Sequence, residues 1–248
     1  PDPGGLSIDA DPVWPIPPLT SMRAMQYDAK LIETNTETEE AGKWLSMLMA
    51  PGSSLGGARP KANLMDEKGQ PWIAKFPSKN DTNDVAAWEY LAYRLALFAG
   101  IEMAESRLED VTGPYRTFIT KRFDRELSAR IHFASAMTMT GYNETMIRDK
   151  KPSYLEIAEF IQFAGSRPED DLKQLWRRMV FNIMISNTDD HLRNHGFILS
   201  SQGWRLSPAF DINPSTDKNG LALNIDMDNN NLDIELAKSA GIYFSLDK

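Results

Sequence analysis

The stretch from Glu169 to Ser186 constrains the fold most. Leu172, Leu175, Trp176, Met179, Val180, Ile183 and Met184 recur at i, i+3, i+4, i+7, i+8, i+11 and i+12, the stripe of a helix with one buried face. Pro168 suits the first helical position, and Glu169, Asp170 and Asp171 suit the positive end of the helix dipole. Such a helix needs a core to lie on. It ends directly in the run Asn187-Thr188-Asp189-Asp190-His191-Leu192-Arg193-Asn194-His195-Gly196, so a rigid element aims a loop dense in acids, amides and imidazoles.

The flanking segments predict an α+β chain, with strands early and helices late. Asn63–Met65 and Trp72–Phe76 read as a hairpin across Asp66-Glu67-Lys68-Gly69. A helix follows, with Trp88, Leu91, Leu95 and Phe98 on one face and Gly100 as its stop. Ser106–Val111 and Tyr115–Phe123 are two further strands joined at Thr112-Gly113-Pro114. Tyr154–Ala164 is a helix. Phe197–Leu199 and Trp204–Leu206 form a hairpin that returns the chain to Pro208-Ala209-Phe210-Asp211, beside the polar loop. Residues 1–20, rich in Pro and Gly, read as an extended arm. Residues 1–50 are therefore expected to be an arm leading into a first lobe, 51–125 a β-rich N-lobe, and 126–248 a helical C-lobe.

Composition removes several classes of function. The 248-residue chain has no cysteine, which rules out disulfides, zinc-thiolate sites and thiol nucleophiles and is compatible with a reducing cytoplasm. No apolar run reaches the roughly 18–20 residues that span a bilayer, so no membrane partner is expected. The net charge of −8 argues against a surface that grips nucleic-acid backbones. Most Met and aromatic residues fall on apolar stripes and are expected to pack in the core. His191 and His195 stand four apart, but the only other histidine is His132, and a zinc site wants a third strong ligand. The run Asp226–Asn231 begins like a calcium loop, yet Asn231 and Ala237 stand where the turn Gly and the bidentate Glu belong.

What remains points to phosphoryl transfer, which needs a carboxylate at the attacking hydroxyl, oxygen ligands for Mg²⁺ and a cation on the phosphates. Asp189 and Asn194 have the Asp-to-Asn spacing of the protein-kinase loop H-R-D-x-x-x-x-N, and Asp211 stands where the metal-binding Asp would. Lys75, in an otherwise apolar strand, is the candidate phosphate lysine, with Glu89 on the next helix as its partner. Each has a plainer reading too, as an edge lysine and a first-turn acid. The small-residue loop Gly52–Lys61 suits the approach of backbone N–H groups to phosphate, but matches no glycine-loop motif by itself.

Read in order, Ser54-Leu55-Gly56-Gly57-Ala58-Arg59-Pro60-Lys61, Ile73-Ala74-Lys75, Glu89, Lys121-Arg122-Phe123-Asp124-Arg125, the Asn187–Asn194 run and Ala209-Phe210-Asp211 resemble the HipA family of bacterial Ser/Thr-protein kinase toxins. The resemblance covers roughly Pro51 to Ile225. It implies a two-lobed protein-kinase-like fold, dependence on ATP and Mg²⁺, transfer to a protein Ser or Thr, and a HipB-like DNA-binding antitoxin as partner. By position, Asp189 would be the catalytic base and Asn194 and Asp211 the Mg²⁺ ligands. Lys75 would hold the phosphates, the loop of Ser54, Gly56, Gly57, Ala58, Arg59 and Lys61 would cover them, and His191 would lie beside them. Thr120, Lys121, Arg122 and Phe123 would border the adenine. The resemblance also implies self-phosphorylation at Ser54, or failing that Ser53. Relative to the family the chain is expected to be short at both ends. The rival readings are a small-molecule or lipid kinase built on the same machinery, and a catalytically idle nucleotide-binding module.

Overall fold

The structure is a computed structural model and describes residues 16–34, 59–126, 129–215 and 219–246. Of the glycine loop, Ser53, Ser54, Gly56, Gly57 and Ala58 lie outside the described residues. After a 3₁₀ turn at Leu19–Ser21 comes α1 (Met22–Thr34), then β1 (Lys61–Met65), β2 (Pro71–Lys75), α2 (Val85–Phe98), β3 (Ser106–Glu109) and β4 (Thr117–Lys121). The four strands form one antiparallel sheet in the order β1-β2-β4-β3. The predicted hairpin is there, longer by two residues at the start of β1.

Register gives the sheet two different faces. Ala62, Leu64, Trp72, Ala74 and Ile119 meet Met25 and Ala29 of α1 in one cluster. Thr117 Oγ1 donates to Gln26 Oε1 on the same face. Lys61 lies opposite Lys75, Asn63 opposite Ile73, and Ile73 opposite Thr120, which sets these residues on the other face. Helix α1 has no counterpart in the sequence reading. Its described buried side chains are Met25, Gln26 and Ala29, a stripe too narrow and too polar to announce itself.

Helix α2 corrects one expectation. Trp88, Leu91, Leu95 and Phe98 do share a face, but it points outward, with exposures of 54%, 46%, 45% and 92%. Ala86, Glu89, Ala92, Tyr93 and Ala96 turn inward instead. Small side chains let the helix backbone approach its neighbours, and Glu89 is drawn in by an ion pair described below. Asp84 caps the first turn through Ala87 N–H, and Gly100, at φ +75°, ends the helix as expected.

The rest of the chain contains β5 (Arg125–Glu126), β6 (Ala129–Arg130), β7 (Phe133–Ser135), α3 (Ala136–Met139), α4 (Glu144–Asp149), α5 (Tyr154–Ala164), α6 (Pro168–Met184), β8 (Gly196–Ser200), β9 (Gly203–Leu206) and α7 (Ile234–Ser239). Strands β7, β8 and β9 make a three-stranded antiparallel sheet. A capping box between Ser153 and Glu156 starts α5. Leu172, Leu175, Met179 and Ile183 of α6 are core, packed with Ile157, Ile161, Phe197 and Leu206. Met184, the last residue of the predicted stripe, is exposed, because the helix ends there and the chain turns away. Phe181 is buried on another side of α6, against Ala92 and Ala96 of α2. Asp171 does more than favour the helix dipole. It is buried, pairs with Arg205 of β9 at 2.9 Å and accepts from Leu206 N–H.

Candidate active site

Three elements converge on Lys75. It stands at the end of β2, a central strand, so the edge-lysine alternative does not apply. Its amine donates to Glu89 of α2 and, at 2.5 Å, to Asp211 Oδ1. Burial on its own would lower the Lys75 amine, but the charges of Asp211 and Glu89 outweigh it and hold the pKa above the ordinary lysine value. Lys75 in turn holds the Asp211 carboxyl down to about 2. Burial raises Glu89, and Lys75 opposes that rise. Lys61, facing the same group from β1, has its amine lowered, first by burial and then by Lys75, against the pull of Asp211.

Asp211 is held there from both sides in sequence. Ala209 N–H donates to Glu102 O at 2.7 Å, and Ala104 N–H donates to Ala209 O. Arg178 Nη2 of α6, fully buried, donates to Ser207 O at 2.6 Å; burial lowers its guanidinium to about 10. Asp211 itself has φ +58°, a left-handed conformation that costs a non-glycine residue energy and is seen most at functional turns.

The polar loop is tied to the same segment. Ser215 N–H donates to Ser186 O at 2.9 Å, and Thr188 Oγ1 donates to Ser215 O at 3.2 Å. The two neighbouring acids of the loop have opposite surroundings. Asp190 is buried and accepts from Tyr154 Oη, with His195 Nε2 at 2.8 Å. Asn182 then donates to Tyr154 Oη, and Asn187 to Asn182. Asp189 is exposed, and its main-chain oxygen accepts from Asn194 Nδ2 at 3.2 Å. The buried network therefore fixes the loop from beneath and leaves Asp189 facing out. His191 is close enough for its charge to favour ionised Asp211. His195 points to Asp190 and not to His191. Tyr154→Phe is expected to cost about 1–3 kcal/mol, since Asp190 loses a buried donor; urea unfolding beside the parent measures it.

The structure does not bring every candidate to this cluster. Arg59 pairs with Asp81, ahead of α2. Thr120 shares the Lys75 face and accepts from Ser106 Oγ. Lys121 alternates to the opposite face, 3.6 Å from Glu105. Arg122 donates to Asp124 and to Asn63 Oδ1, and Phe123 packs with Phe133 and Phe210. Lys121, Arg122 and Phe123 also line a cleft of about 560 Å³ with Ala104 and Glu105. Lys75 and Asp211 are not among its walls, so it is distinct from the charged cluster. Sequence reasoning missed the Asp190–Tyr154–His195 network, for which the adjacency of Asp190 to Asp189 was the only signal.

Residues 53–246 match the HipA-like C-terminal domain family. The chain belongs to that family. Its similarity extends to "Putative kinase Y4mE" of Sinorhizobium fredii, 26% identical over 183 residues, covering 64% of this chain and 41% of that one. A "Putative kinase" of Haemophilus influenzae is 26% identical over 180 residues, covering 64% and 52%. The chain thus spans about half the length of these curated relatives. Among solved structures, HipA of Shewanella oneidensis MR-1, determined with HipB and its operator DNA, superposes with a TM-score of 0.70. The identity is 19%, and the match covers 97% of this chain and 62% of that one. The Helicobacter pylori proinflammatory kinase CtkA gives 0.54 at 16% identity, over 75% and 77%. The fold of this HipA-like chain is therefore kinase-like. Among the described residues no helix is long and apolar enough to cross a membrane.

The donors here suit a hard divalent cation better than zinc. The Asp211 carboxylate and the partnerless buried Asn213 Oδ1 near it offer oxygen, the donor a hard cation takes, while the Asn194 carboxamide gives its Nδ2 to Asp189 O. Among the described residues no three His, Asp or Glu side chains form a metal-binding group.

Proposed function

We propose that this HipA-like chain is the catalytic part of an ATP-dependent Ser/Thr protein kinase. One observation carries the reading: Lys75 lies between Glu89, on the helix that follows its strand, and Asp211, 136 positions away in sequence. A structural role alone does not call for a buried lysine shared by two carboxylates beside a loop with an outward Asp189. In this reading Lys75 binds the ATP phosphates and Lys61 adds positive charge beside it. Thr120 and Phe123 border the base. Asp189 orients the substrate hydroxyl and takes its proton as the new O–P bond forms and the bond to the departing ADP oxygen breaks. Asp211 and Asn194 would hold Mg²⁺, which supplies charge neutralisation on the phosphates. Ser54, or failing that Ser53, is the proposed site of self-phosphorylation. A HipB-like antitoxin is the proposed partner, within a toxin–antitoxin pair in the cytoplasm.

The test is incubation of the protein with radiolabelled ATP, Mg²⁺ and host lysate, followed by mass identification of every labelled peptide. Asp211→Ala serves as control and is expected to lose labelling together with Mg²⁺-dependent ATP binding. Label on a lysate Ser or Thr supports the protein-kinase reading. Label confined to small molecules or lipid overturns it. Label on the Ser53–Ser54 peptide in the parent alone supports self-modification.

A further inference from the structure

Asn213 lies two residues beyond Asp211 and its carboxamide is used on one side only. Nδ2 donates to Asp211 Oδ1 at 3.2 Å, the same oxygen that Lys75 grips. Oδ1 is buried and makes no hydrogen bond. Nitrogen and oxygen cannot be exchanged here, because a flipped amide would set its oxygen against a carboxylate oxygen that already accepts from Lys75. The free atom is therefore an acceptor, and a buried acceptor without a donor is rare in a folded chain. Between the two, Ile212 is anchored in the core with Ala92, Ala96, Ile101, Phe181 and Ala209. Its neighbours meet on the other side. Lys75 and Asn213 both donate to Asp211 Oδ1.

We infer that Asn213 belongs to the cation site: its Nδ2 steadies the Asp211 carboxylate, and its Oδ1 is a further oxygen donor for the divalent ion. This rests on the phosphotransferase reading. The chemistry is that of Asn194 and Asp211, since neutral carboxamide and anionic carboxylate oxygens are what hard cations accept. The sequence reading passed over Asn213 because a lone Asn before Pro214 looks like an ordinary turn residue.

The test is Mn²⁺ titration of the purified protein, followed by electron paramagnetic resonance, with a non-hydrolysable ATP analogue present. Asn213→Ala is expected to weaken Mn²⁺ binding by about 10–100-fold, the usual effect of losing a supporting group at a metal site. Nucleotide affinity measured in EDTA should not change. Asn213→Asp keeps an oxygen in place and is expected to bind Mn²⁺ at least as well as the parent. If Asn213→Ala does not fold, Asn213→Leu, of similar volume but without the oxygen, carries the same expectation. Unchanged Mn²⁺ affinity in the Ala or Leu variant overturns the inference. So does equal weakening in Asn213→Asp and Asn213→Ala, which would mean the site merely lost packing. A parent protein that takes up no Mn²⁺ with the analogue would instead bring down the phosphotransferase reading, and this inference with it.

Discussion

Asp189→Asn should leave the fold and nucleotide binding intact and lower phosphate transfer by about 10²–10⁴-fold, the usual contribution of a positioned base. The structural ground is the contrast between neighbours. Asp190 is spent on Tyr154 and His195 in the core, whereas Asp189 is exposed near the start of the loop. Asp189 is exposed while Asp190 is buried, so loss of the Asp189 charge should show in rate far more than in stability. Single-turnover phosphorylation beside calorimetric ATP binding separates the two. A mutant as fast as the parent removes Asp189 from the chemistry. An Asp190→Asn comparison should show the reverse pattern, with stability falling first.

Lys75→Met is expected to cost about 3–5 kcal/mol of stability at neutral pH, because a buried pair broken from one side leaves an uncompensated charge. Glu89 is that charge, buried and with its carboxyl already raised. The double variant Lys75→Met/Glu89→Gln should regain most of the loss. Urea denaturation of the three proteins decides it, and a double variant no more stable than the single one would remove the ion pair as the cause. Acid behaviour should differ as well. Asp211 is depressed to about 2, so in the parent its contribution is full above the ordinary carboxylate pKa and fades as pH falls toward 2. Lys75 is raised, so its contribution persists up to the ordinary lysine pKa and is lost only above that. The Lys75→Met protein should instead gain stability on mild acidification, as Glu89 takes up a proton.

Much of this arrangement was legible in the sequence, and the reasons differ from element to element. Helix α6 and the β8–β9 hairpin follow from local periodicity, which needs no partner to be read. Lys75 was visible as a charge out of place in an apolar strand. Helix α1 was not visible, since a stripe of Met25, Gln26 and Ala29 is weak by any hydropathy count. Helix α2 was seen, but its inward face was misread. Counting large apolar residues favoured Trp88, Leu91, Leu95 and Phe98, while the structure turns alanines and Glu89 inward. The deciding partner, Lys75, lies on a strand and is 14 positions away, beyond the reach of any helical pattern. The same holds for Asp190, whose partners Tyr154 and His195 come from an earlier helix and from the far end of the loop.

Lys75 and a divalent cation would compete for one carboxylate. Lys75 already neutralises Asp211, so a cation arriving alone meets a site whose negative charge is largely spent, and a nucleotide arriving alone must draw Lys75 away from Asp211. Arriving together, each removes the other's penalty, because the phosphates take over Lys75 while the ion takes over Asp211. Under the proposed reading the two ligands should therefore show positive thermodynamic linkage, each tightening the other by the same factor.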